Sequence, residues 1–231
     1  MLFGHRGLLN EAPENTQSAY EAAVSAGLPA IELDVVQTKD GEIICSHNFD
    51  LERETDGLGY IFNKTWPELK NVNAGVHHGE QREPIPRLID ILRWLPTDYI
   101  VNIEIKTHKL FDISTPIKVA KIIQQKNRYK TTIVSSFNPV SLRIVKNIAP
   151  KIVTGFLLEN VHLLSFMSFS KANFLHPRAD VFNNQIMDYC DRHNLGTKIW
   201  TVNTGPGMAF LIRRGAGGII TDHPEVKPIE I

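Results

Sequence analysis

Seven side chains carry types and spacings that could do chemistry together. Glu32 and Asp34 stand two apart in "IELDVV", and Glu104 and Lys106 two apart in "NIEIK". Residues two apart on a strand share a face, so each pair points the same way, opposite to its apolar neighbours. His5 and Arg6 are adjacent in "GHRG", and His47 follows in "SHNFD". Three carboxylates brought close would push one another's pKa upward unless a cation neutralises them. An all-oxygen set suits a hard divalent cation, magnesium or calcium, better than zinc. A buried salt-bridge network with Lys106 and Arg6 is the alternative. A divalent cation beside cationic side chains describes a phosphate site, and two imidazoles supply a general base and a general acid.

Elements must exist to bring these residues to one place. Short apolar, β-branched runs predict eight strands, Leu2–His5, Ala30–Val36, Tyr99–Lys106, Thr131–Ser135, Ile152–Leu157, Asn173–His176, Lys198–Val202 and Gly218–Thr221. Amphipathic stretches predict helices at Thr16–Ala26, Thr115–Lys126, Val140–Ile148, Asn183–His193 and Met208–Arg213. Alternation of this kind implies parallel pairing through right-handed crossovers, and eight such units fit a (β/α)8 TIM barrel. An open doubly wound sheet is the rival, but no glycine-rich phosphate loop follows the first strand. Residues from about 41 to 86 break the alternation with an extra strand, Glu42–His47, and many turn formers. We read them as a small insertion after the second strand of a single domain spanning residues 1–231. In the barrel, Glu32, Asp34 and Glu104 converge near the C-terminal end of the strands.

Lysine plus arginine number 25 and aspartate plus glutamate 25, a balance that argues against a nucleic-acid or anionic-membrane surface as the main partner. Cys45 and Cys190 lack metal-type spacing, which suits a reducing compartment without disulfides. Neither a signal peptide nor a run of roughly 20 apolar residues is present. The expectation is a cytoplasmic protein without stable membrane association.

In order along the chain, "GHRG", "PENT", "IELDVV", "SHNFDLERETDG", "NIEIK", "WTVN" and "GIITDHP" cover residues 4 to 224. Together they resemble the glycerophosphodiester phosphodiesterase family. The resemblance implies a TIM barrel with a small insertion and a soluble small-molecule substrate. It implies hydrolysis of glycerophosphodiesters to glycerol 3-phosphate and an alcohol, with magnesium or calcium. On the matching positions, His5 and His47 become the acid/base pair, with His47 favoured as the acid. Glu32, Asp34 and Glu104 become the metal ligands, Arg6 and Lys106 hold phosphate oxygens, and Trp200 and Asn203 line the substrate pocket. Asn48 stands where the family usually has aspartate, and Glu54 where it often has threonine. A phosphoinositide-type phospholipase C, a sphingomyelinase-D-like enzyme and a non-catalytic binding barrel are rival readings. The oligomeric state, a homo-oligomer included, stays open.

Overall fold

The chain leaves its first strand abruptly. β1 (Leu2–Gly4) ends where Arg6 (φ 56°) and Gly7 (φ 101°) take left-handed backbone conformations. A Cβ on Gly7 would stand 2.7 Å from the Cβ of Ala19, so the turn packs directly on α1 (Gln17–Ser25). The turn lifts His5 and Arg6 out of the strand into the barrel mouth.

In this computed structural model, which describes residues 1–79 and 82–227, one nine-stranded sheet is formed. Residues 80 and 81, within the expected insertion, lie outside the described residues. β2 (Ala30–Gln37), β4 (Ile100–Ile105), β5 (Thr132–Ser136), β6 (Val153–Leu158), β7 (Phe174–Pro177), β8 (Gly196–Ile199) and β9 (Gly218–Thr221) pair in parallel succession. β1 joins β9 to β2 and closes the ring of eight. β3 (Ile43–Cys45) pairs antiparallel with β2 and stands outside the ring. Val35 pairs with both Ile105 of β4 and Cys45 of β3, so β3 occupies the edge of β2 that β1 holds lower down at Ile31.

The alternation expected for the strands holds. Ile31, Leu33, Val35, Val101, Ile103 and Ile105 enter the core between ring and helices. Phe3, Ala30 and Ile220 fill the bore, with Ile100, Ile133 and Trp200 against them. This plug keeps water from the floor beneath the inward carboxylates, where charge interactions are correspondingly strong. A separate small core of Val36, Ile44, Leu51, Ile61, Leu69 and Ile85 holds the segment that follows β2.

The helices are α1, α2 (Trp66–Leu69), α3 (Leu88–Trp94), α4 (Ser114–Gln125), α5 (Pro139–Ile148), α6 (Met167–Ser170), α7 (Asn184–His193) and α8 (Gly205–Arg213) among the described residues. Asn138 caps α5 by accepting from the Val140 N–H, with Pro139 opening the helix as its sequence suggests. Several elements differ from expectation. The one-turn helices α2 and α6 and the longer α3 were not foreseen; α3 has no side-chain cap and follows the proline-rich end of the irregular stretch. α8 starts three residues earlier than expected, at Gly205, because Thr204 accepts from the Gly207 N–H and Pro206 suits a first turn. β8 is displaced to Gly196–Ile199, leaving Trp200–Asn203 as a connection into α8. No described helix is long and apolar enough to cross a membrane.

Candidate functional site

Register builds the centre of the site. β2 and β4 pair Glu32 with Asn102 and Asp34 with Glu104, so two carboxylates stand side by side with the third one step below. Glu32 is 3% and Asp34 1% exposed. Each of Glu32, Asp34 and Glu104 offers an oxygen, and the three oxygens lie within 4.8 Å of one another. Asn102, beneath, is tied to Ser135 by a 2.9 Å hydrogen bond.

Cations answer part of this charge. Lys106 Nζ lies 2.9 Å from Glu104 Oε1 and 3.4 Å from Asp34 Oδ1. Arg6 donates through Nη1 to Glu14 at 2.6 Å, while its Nε lies 3.2 Å from Asp34 Oδ2 without hydrogen-bond alignment. Burial pushes the Asp34 carboxyl up, yet Lys106 and Arg6 hold it below its ordinary range. Glu32 has only the Arg6 backbone N–H at 3.2 Å and His5 Nε2 at 3.9 Å. Burial, with Asp34 and Glu104 adding repulsion, pushes its pKa well above the carboxylate range. Glu104 is raised too, by burial, against the opposing pull of Lys106.

A divalent cation fits this arrangement. Were all four carboxylates, Glu14, Glu32, Asp34 and Glu104, ionised, the two fixed cations, Arg6 and Lys106, would leave two negative charges for a cation to match. Glu32, the least compensated, lies in the one His/Cys/Asp/Glu cluster among the described residues that could hold a metal ion. The donor set is all oxygen, which suits magnesium or calcium.

Two histidines reach this centre from opposite chain directions. β1 runs upward and delivers His5 just above the Gly4–Ile31 pair. β3 runs downward along the same edge of β2, and the Ser46 N–H donates to the Asp34 carbonyl immediately before His47. His5 Nδ1 lies 2.5 Å from Asp222 Oδ1, an arrangement that assigns the proton to Nδ1 and leaves Nε2 facing Glu32. Asn203 donates to the other Asp222 oxygen at 2.7 Å and accepts from the Asp222 N–H and Thr221 hydroxyl. His47 Nδ1 is 3.2 Å from Asn48 Oδ1. Burial holds the His47 pKa below its ordinary value, with Asp34 opposing and Lys106 and Arg6 reinforcing.

His5, Arg6, Glu32, Asp34, His47, Glu104 and Lys106 are therefore brought together, whereas Asn203 spends its amide on Asp222 and Trp200 packs with Phe3, Ala30 and Ile220 of the bore. Trp200 donates from Nε1 to the His176 carbonyl at 2.7 Å and meets Phe137 edge-on at 5.5 Å. Sequence reasoning missed three contributors. Asp222 lies in "GIITDHP" and Glu14 in "PENT", both quoted as motifs but not given roles. Asn15, next to Glu14, donates to Asp34 Oδ2 and accepts from the Asp34 N–H, each at 3.0 Å. Its cross-chain contacts have no local signal. His176 is wholly buried in the bore with neither ring nitrogen bonded, and burial, reinforced by Lys198, drives its pKa well below the usual range. His108 stacks on Phe62 at 4.3 Å.

Comparison with known proteins converges on one family. The sequence model described as "Glycerophosphoryl diester phosphodiesterase family" matches residues 5–226. A protein of Caldanaerobacter subterraneus subsp. tengcongensis named glycerophosphodiester phosphodiesterase is 35% identical, over 97% of this chain and 95% of its own length. The structure of an Oleispira antarctica phosphodiesterase in complex with the product sn-glycerol-3-phosphate superposes with a TM-score of 0.90 at 25% identity, covering 97% of this chain and 94% of that one. A Thermotoga maritima glycerophosphodiester phosphodiesterase gives 0.77 at 27% identity, covering 97% and 95%.

Proposed function

The chain belongs to the glycerophosphoryl diester phosphodiesterase family, and on that premise we propose that it hydrolyses glycerophosphodiesters to glycerol 3-phosphate and an alcohol, using one divalent cation and two histidines in a single catalytic domain. The observation that carries this reading is the meeting of His5 and His47, from opposite chain directions, over three carboxylates.

Glu32, Asp34 and Glu104 would hold magnesium or calcium, which would supply Lewis-acid stabilisation of the phosphoryl charge and offset their repulsion. Arg6, anchored by Glu14, and Lys106 hold the non-bridging oxygens. His47 takes the proton of the attacking oxygen: water gives glycerol 3-phosphate directly, whereas the glycerol 2-hydroxyl gives a cyclic phosphate that a water must then open in a second displacement. A new bond to phosphorus forms, the bond to the alcohol oxygen breaks, and His5 gives a proton to that leaving oxygen. This order is opposite to the one favoured from sequence. Its reason is burial: the depressed pKa of His47 keeps it neutral and ready to accept, and a bound cation nearby would depress it further. Asp222, steadied by Asn203, holds the His5 ring so that Nε2 faces the reaction. Trp200 lines the substrate pocket. The relative bound to sn-glycerol-3-phosphate supports a product of this class.

Release of glycerol 3-phosphate from glycerophosphoglycerol, measured with magnesium or calcium and then with excess chelator, tests the proposal. Turnover that depends on the cation is expected. Full activity in chelator would sink the metal assignment, and no turnover under any condition would sink the reaction. A nitrophenyl leaving group needs little protonation, so with that ester only the variant lacking the acid, His5→Ala, should recover much of its rate.

A further inference from the structure

Phe49 and Lys106 stand on a ridge between two recesses. The inner one, about 180 Å³, reaches Glu104 and Phe137. The outer one, about 360 Å³, extends from Lys106 toward the loop that precedes α4. Its wall includes the rings of Phe49, Phe62 and His108, with Phe62 stacked on His108 at 4.3 Å and backed by Tyr60 at 5.1 Å. Phe111 and Ile113 also line it, although they are 76% and 60% exposed. Its cations are Lys39, Lys106 and Lys109. Its acidic residue, Asp112, is already engaged by the Ser114 and Thr115 N–H groups and the Thr115 hydroxyl. None of the proton or metal chemistry above uses this recess.

We propose that the outer recess is the subsite for the alcohol arm of the substrate, and that it selects a neutral alcohol with an apolar face over a cationic one. The proposal rests on the phosphodiesterase reading. A diester has two arms, and a phosphate held at Lys106 sits on the ridge, so the arms fall to either side. The hydroxyl-bearing glycerol arm suits the inner recess, where Glu104 can accept hydrogen bonds. The other arm meets ring faces and exposed apolar side chains, which gain by being covered. Aromatic faces alone also attract quaternary ammonium groups. Here Lys106 is already paired with Glu104, and Lys39 and Lys109 outnumber the single carboxylate of Asp112, so a second positive charge is opposed. A neutral alkyl or aryl group satisfies both surfaces.

Initial rates with the glycerol, choline and hexyl esters of glycerol 3-phosphate test this. The hexyl ester should show a KM at least about tenfold below that of the glycerol ester, since burying about two methylenes suffices for that factor. Phe111→Ser, at an exposed position that tolerates change, and Phe62→Ala should each bring the ratio towards one. Lys109→Glu should improve the choline ester severalfold relative to the glycerol ester. Binding of a non-hydrolysable hexyl phosphonate, followed by calorimetry, should show the same discrimination without turnover. Equal KM values for the three esters, or a ratio untouched by both aromatic variants, would overturn the subsite. Phosphonate binding that is sensitive to Phe62→Ala, without hydrolysis of any ester, would uphold the recess and overturn the phosphodiesterase reading instead.

Discussion

The Nδ1 atom of His5 lies 2.5 Å from Oδ1 of Asp222, a residue 217 positions later in the chain, and Asn203 donates to the second oxygen of the same carboxylate. Strand β9 therefore sets the orientation of a ring that β1 supplies. Asp222→Asn keeps the size of the side chain but removes its charge, so the His5 ring, protonated on both nitrogens as an acid, loses the anionic partner that orients it. The expected result is a fall in kcat of about 10²-fold, comparable with loss of a proton-transfer step, with KM little changed. Asn203→Ala should act in the same direction but less. An effect confined to KM would contradict the orienting role.

Asn48 offers His47 an amide oxygen but no charge. With Asn48→Asp, a carboxylate beside the ring should favour its protonated form and raise its pKa by about one unit or more. A base works only when deprotonated, so the acidic limb of the kcat–pH profile should move to higher pH by a similar amount. Profiles recorded between about pH 5 and 9 would reveal it. A limb that stays in place, or moves to lower pH, would remove His47 from the role of base.

Carboxylate repulsion should appear as a stability effect when no divalent cation is present. The folded pKa of Glu32 is raised, so the folded state retains a proton that the unfolded chain has lost. Its contribution is present below the ordinary glutamate range and is lost as pH rises through the folded value. In chelator, Glu32→Gln should therefore melt higher than the wild type at pH 8, with no advantage at pH 4. Magnesium or calcium should raise the wild-type Tm, by an amount equivalent to about 2.7 kcal/mol at a hundredfold excess over Kd. Neither Glu32→Gln nor Glu104→Gln should respond as strongly, and both should lose most cation-dependent activity. Identical melting of all three proteins with and without cation would refute the assignment.

Inside the bore, a Cβ on Gly155 would lie 2.3 Å from His176 Nε2. Gly155→Ala should cost about 1–3 kcal/mol through overpacking, read as a lower midpoint in denaturant. The double variant Gly155→Ala/His176→Ala should recover part of that loss, because the clashing ring is gone. Additive losses would show that the strain lies elsewhere.

Much of this architecture was legible in the residues. The two-residue spacing in "IELDVV" and "NIEIK" placed Glu32, Asp34 and Glu104 on the inner face, because strand alternation is a local rule. Asn138–Pro139 marked the start of α5 for a similarly local reason. Asp222 escaped because its partner is at the other end of the chain, and a lone aspartate after a strand resembles any turn former. Asn203 was expected to face substrate. With β8 ending at Ile199, it instead lies in a connection where its amide closes on Asp222. α3 escaped because a helix of only two turns, without a side-chain cap, buries just Leu88, Ile91 and Leu92 and leaves too short a period to read.

β3 packs on two cores at once, through Ile43 and Cys45 into the one between ring and helices and through Ile44 into the small core of Leu51, Ile61, Leu69 and Ile85. His47 therefore sits at the seam between the small core and the barrel. A small core opens at lower free energy than a closed barrel. Heating should loosen residues 51–69 before the ring yields, while Ile43 and Cys45 keep β3 on the barrel. Amide exchange around residues 51–69 should follow the faster, sub-global opening, while the amides of β3, β4 and β5 exchange only with complete unfolding.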